Sequence, residues 1–115
     1  MICTKILPNV TLTMTSEEIG SDILVTLTGG DAHIGAVALA SVDVETGVVT
    51  ADVQAVPGHK EGDIALNGAR YLAKELSKTV VLIVGIHIDN PSESDLDDII
   101  RGCEDLVGIF GRNYA

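Results

Sequence analysis

Three features of the sequence predict an α/β domain of order ββββαβα with both helices packed on one face of a sheet. Period-2 alternation runs through the first half, helical periodicity begins after Pro57-Gly58, and one almost wholly apolar segment lies between two amphipathic stretches. Val10, Leu12 and Met14 alternate with Thr11, Thr13 and Thr15, the pattern of a half-buried strand. Ile23, Val25 and Leu27 repeat it, and Gly29-Gly30-Asp31 reads as a tight turn. Ile34 to Val42 is apolar enough for a strand covered on both faces. After a turn at Asp43 to Gly47, Val49, Ala51, Val53 and Ala55 alternate with wetter positions. Short turns between these four strands predict an antiparallel meander.

Ile64, Ala65, Gly68, Ala69, Leu72 and Leu76 then share one side of a helix. Thr79 to Ile88 is the most apolar strand, closed by Asp89-Asn90-Pro91. Asn90 as N-cap with Pro91 at the first helical position opens a second helix, Ser92 being the alternative cap. Its buried stripe is Leu96, Ile99, Ile100, Cys103, Leu106, Val107 and Phe110. The 115 residues make a single domain over 1–115. A chain of this size buries roughly two-thirds of its unfolded surface and needs no metal or disulfide to fold. The sheet face away from the helices, assigned Leu24, Val48, Leu82, Val84 and Ile86, is too apolar for water and predicts a homodimer through that face.

Seven basic against 17 acidic side chains give a net charge of -10, which disfavours nucleic acid and anionic lipid surfaces as partners. Any phosphate-bearing ligand therefore needs a local positive spot. Cys3 and Cys103 have no paired spacing, and no secretory segment precedes them, so a reduced cytoplasmic protein is expected. The longest apolar run, Val80 to Ile86, falls well short of the about 20 residues of a membrane span.

The candidate residues lie at strand ends and turns. His59 and Lys60 follow Pro57-Gly58 with no capping side chain at 58 to 60, so the helix start there is the best phosphate site; a solvated start capped by Asp63 is the alternative. His87 shares a strand face with Val81, Ile83, Gly85 and Asp89, and Gly85 is expected to clear space for a flat ligand. His33, His59 and His87 with Asp89 suit zinc or iron chemically but lack local ligand spacing, so a satisfied strand-end histidine remains open for each, and whether a metal binds is unknown. No nucleophile stands out: Ser41 lacks a glycine elbow and Cys103 lies on a buried stripe.

Three segments, Gly29-Gly30-Asp31-Ala32-His33-Ile34-Gly35-Ala36-Val37-Ala38, Pro57-Gly58-His59-Lys60-Glu61 and Gly85-Ile86-His87-Ile88-Asp89-Asn90, place every histidine inside a motif. Together they resemble the LpdD-like prenylated-flavin chaperones, small accessory subunits of gallate-type decarboxylases, over roughly Val10 to Phe110. The resemblance implies a dimerising fold similar to proteasome-assembly chaperones. It also implies a non-catalytic protein that binds prenylated FMN or helps mature it for a UbiD-type decarboxylase. Carried over to this chain, His59 and Lys60 approach the phosphate, while His33, His87, Asp89 and Asn90 line the ring or ribityl portion. With only Phe110, Tyr71 and Tyr114 as aromatics, the ring has to rest on Gly35, Gly85 or aliphatic side chains, or be shared across a dimer. Two competing functions are a small metal-dependent enzyme using His33, His59 and His87, and an assembly module that a charge at Val84 disrupts.

Overall fold

The structure is a computed structural model and describes residues 1–114. Its elements are β1 (Ile2–Ile6), β2 (Thr11–Ile19), β3 (Asp22–Gly30), β4 (Ala36–Val42), β5 (Val49–Ala55), α1 (Gly62–Leu76), β6 (Val80–His87) and α2 (Glu93–Asn113). The α/β class and the final helix, strand, helix order agree with the sequence. Five strands rather than four precede α1, however, and they do not form a meander. The six strands lie in the order β1-β2-β3-β6-β4-β5, with β3 and β6 parallel and every other neighbouring pair antiparallel. The most apolar strand gains most from the middle of the sheet, so β6 inserts between β3 and β4 and separates the three-stranded β1-β2-β3 unit from the β4-β5 hairpin. The missed strand β1 is a short edge strand whose alternation runs against the usual sense. Ile2 and Ile6 point outward at 71% and 82% exposure, while Cys3 packs against the core.

One sheet face carries the core. Leu12, Met14, Ile23, Val25, Leu27, Val80, Leu82 and Val84 meet Leu72 of α1 and Cys103, Leu106 and Phe110 of α2, all buried. Over β4 the packing is made of small residues, Ala36, Ala38 and Ala40 on the strand and Ala65, Ala69 and Ala73 on the helix, so α1 can lie close to the sheet. Among the described residues, no helix covers the opposite face. Its centre is Val81, flanked in register by Leu24 and Leu39, and Ile83, flanked by Thr26 and Val37. Leu82 and Val84 therefore belong to the core and not to the open face, and β4 is covered on one side only, with Leu39 51% exposed. No helix among the described residues is long and apolar enough to cross a membrane.

The helix starts differ from each other. In α2, Ser92 is the N-cap and forms a capping box with Asp95. Asn90, expected to cap, has φ 48° and turns the chain ahead of Pro91, a conformation asparagine tolerates better than most residues. In α1 the N-cap is Glu61, whose side chain makes no capping bond, and Asp63 lies inside the first turn.

The link from β3 to β4 is not the tight turn that Gly29-Gly30-Asp31 suggests, because it must cross the end of the inserted strand. Gly30 takes φ +64°, Asp31 donates its N–H to the His87 carbonyl (3.0 Å), and Gly35 donates to that of Val84 (2.9 Å). Between these two bonds the backbone of His33 lies directly on Gly85, where a Cβ would come within 1.6 Å of the His33 carbonyl oxygen. The Gly85→Ala variant is thus expected to lose about 1–3 kcal/mol or more by overpacking. Gly62→Ala, whose nearest neighbour is 3.7 Å away, is expected to be neutral or stabilising. Paired thermal or denaturant melts check both.

A histidine and carboxylate cluster at the carboxyl end of the parallel strands

Strands β3 and β6 run parallel and finish at the same edge of the sheet, where the chain leaves in different directions; ligands of open α/β sheets commonly bind outside such strand ends. Three segments converge there. The crossing loop brings His33, the end of β6 brings His87, and the approach to α1 brings His59. His59 is set by a turn in which its N–H bonds the Val56 carbonyl (3.0 Å), with Pro57 and Gly58 (φ +84°) at the central positions, the geometry of a type II turn. The His33 and His59 ring centres lie 4.8 Å apart, and those of His33 and His87 lie 6.4 Å apart.

Glu61 is the hub of the cluster. Its Oε2 lies 3.0 Å from His33 Nε2 and its Oε1 lies 3.9 Å from His59 Nδ1, while the side chain is only 12% exposed. The Lys60 N–H donates to Oε1 at 3.3 Å. Room for this carboxylate depends on Gly35, since a Cβ there would stand 1.5 Å from Oε2. The other ring nitrogen of His33 lies 3.0 Å from the Asp31 carbonyl oxygen. A carbonyl only accepts, so His33 Nδ1 carries a proton. His87 forms a second, more exposed group, with Nε2 3.2 Å from Asp89 Oδ1 and Asp31 close by.

Several sequence expectations change here. All three histidines do gather at one end of the sheet, but not around one point: His33 and His59 share Glu61, whereas His87 goes with Asp31 and Asp89. They are therefore not a common three-histidine ligand set. Gly35 and Gly85 do not open space for a flat ring, because Glu61 and the His33 backbone fill the room they leave. Lys60 lines a cleft of about 410 Å³ between α1 and α2, with Ile64, Tyr71, Cys103 and Val107, and makes no polar contact with the histidines among the described residues. Asn90 lies exposed on the turn after β6, next to Asp89. Burial, assisted by nearby Glu104, pushes the Cys103 thiol up to about 12, in line with an inert core cysteine. The residue that sequence reasoning left without a role is Glu61. Its signal was its place at the end of the Pro57 to Glu61 segment, directly before a helix with no other cap.

A family model described as the prenylated flavin chaperone LpdD-like domain matches residues 7–113. The chain belongs to this family. Its fold also resembles a chain in the crystal structure of a novel chaperone complex for yeast 20S proteasome assembly. That likeness has a TM-score of 0.57 at 14% identity and covers 94% of this chain and 96% of that one, so it speaks for the fold alone. No curated protein matches the chain. In this LpdD-like domain each of the three histidine-bearing segments ends at the same rim, and the family match spans all of them.

The electrostatics of the rim are balanced, with carboxylates interleaved among imidazoles. The Asp31 carbonyl is the largest cause holding the His33 imidazole above its ordinary 6.5; partial burial opposes it, and Glu61 adds to it by hydrogen bond and charge. Because the folded-state value is raised, this pair stabilises the fold below pH 6.5, and the contribution is lost as pH rises through the raised value. In an NMR titration His33 is expected to turn over above 6.5, and Glu61→Gln to bring it back toward that value. The same substitution should flatten the fall in thermal midpoint as pH rises above 6.5.

Proposed function

We propose that this LpdD-like chain is a non-catalytic carrier that binds prenylated FMN at the histidine-bearing rim and passes it to a UbiD-type decarboxylase. The observation that carries this reading is the meeting of three imidazoles from three distant segments at the shared end of β3 and β6, with His33 and His59 rings 4.8 Å apart. A flavin mononucleotide has an anionic phosphate, a hydroxyl-rich ribityl chain and a flat apolar ring, and the rim has a counterpart for each. The His59 ring beside the start of α1, which has no side-chain cap, suits the phosphate. His87, Asp89 and Asn90 offer donors and acceptors for the ribityl hydroxyls. For the ring, the aliphatic side chains of Ile34 and Val56, 57% and 40% exposed, flank the site in place of aromatics. Their segments are joined where the Val56 N–H bonds the Gly35 carbonyl at 2.8 Å.

An open rim favours carriage over catalysis. The His87 and Asp89 side chains are 54% and 86% exposed, so a molecule held there stays within reach of a second protein. The uncovered sheet face around Val81 and Ile83 supports a homodimer, which would leave both rims free.

Native mass spectrometry under anaerobic conditions with reduced prenylated FMN tests the reading. One flavin per subunit is expected, with His59→Ala and Lys60→Glu each weakening the complex, His59→Ala by about tenfold, the worth of one charge-assisted hydrogen bond. A chain that retains neither prenylated FMN nor plain FMN refutes it. In the same spectra Ile83→Glu is expected to turn dimer into monomer. Val84→Glu is expected to unfold the chain instead, since Val84 is fully buried.

A further inference from the structure

We infer that His33, His59 and Glu61 form a binding site for one divalent transition-metal ion of the zinc class, with a coordination position left open. One donor atom from each of the three residues lies within 4.8 Å of the others. Tetrahedral zinc with bonds of about 2.0–2.1 Å needs donors about 3.3 Å apart, a contraction that side-chain rotation can supply. The donor types, two imidazoles and a carboxylate, are those of open zinc sites in which a fourth position takes water or an exogenous oxygen.

The hydrogen bonding around His33 makes the case sharper. Its Nδ1 proton is committed to the Asp31 carbonyl at 3.0 Å, so in the neutral ring Nε2 is a bare lone pair. That lone pair faces Glu61 Oε2, also an acceptor, at 3.0 Å. Two acceptors at this distance need a positive charge between them, supplied either by a proton or by a metal ion. A ring nitrogen bonded to a backbone carbonyl, with the opposite nitrogen aimed at the other donors, is how metal-binding histidines are usually oriented. Glu61 is held in the same sense: Gly35 leaves the space it occupies, the Lys60 N–H fixes Oε1, and the carboxylate is 12% exposed. The second group, Asp31, His87 and Asp89, is exposed at all three positions and lacks this support.

The ion changes the charge of the rim. Two neutral imidazoles and one carboxylate sum to -1, and a divalent cation reverses this to +1 in a chain of net charge -10. The open position then accepts an anionic oxygen such as that of a phosphate monoester. This last step alone rests on the flavin reading, and the metal site does not depend on it.

Chelator-treated protein titrated with Co²⁺, read by visible ligand-field absorption, and then with Zn²⁺ by calorimetry, without flavin, decides the matter. One ion per subunit is expected. His59→Gln, on an exposed turn where folding is not at risk, and Glu61→Gln are each expected to weaken binding at least about tenfold. No uptake by the wild-type chain at stoichiometric metal overturns the site. So does binding that Asp89→Asn abolishes and Glu61→Gln leaves intact, because the ion then belongs to the His87 group. Retained zinc with no flavin complex counts against the flavin reading only.

Discussion

The insertion of β6 between β3 and β4 is the constraint on which the rest of the molecule depends. Because the strand enters parallel to β3 and antiparallel to β4, the chain leaving β3 must climb over its carboxyl end to reach β4. Backbone bonds from Asp31 to His87 and from Gly35 to Val84 fasten that crossing, and Gly85 lets it lie flat. Everything placed at the rim follows from this. His33 stands on the crossing, Glu61 reaches into the room over Gly35, and His87 ends the strand being crossed.

On the flavin reading, the rim also resolves an electrostatic difficulty. A chain of net charge -10 repels anions at a distance, and the Lys60 side chain lines the interhelical cleft without a polar contact to the histidines among the described residues. Imidazoles can supply positive charge there, and only conditionally: when protonated or when they share a cation with a carboxylate. Glu61 is the carboxylate beside His33, 3.0 Å from its Nε2 and only 12% exposed.

Much of this was legible from the residues. Both helices announced themselves through apolar positions repeating every three to four residues, and the strands with one wet face through strict alternation. Strand order was not, because the period of a strand says which side chains share a face but nothing about its neighbours. Without the order, the face of β6 that meets the helices was assigned in the wrong sense, so Leu82 and Val84 were exchanged for Val81 and Ile83. The histidines could be gathered from their motifs before the geometry was known. Glu61 could not be given a role, because one glutamate among 17 acidic side chains carries no compositional signal until the empty space over Gly35 shows what it fills. β1 escaped for a related reason: its core-facing residues, Cys3 and Lys5, do not read as a hydrophobic face.

The central strand is also the last one in the chain, and residues 33, 59 and 61 precede it. Without residues 80–87 the β1-β2-β3 unit and the β4-β5 hairpin share no strand pairing, and the crossing loop loses the Val84 and His87 carbonyls that hold it. The rim is therefore complete only when the final strand is in place.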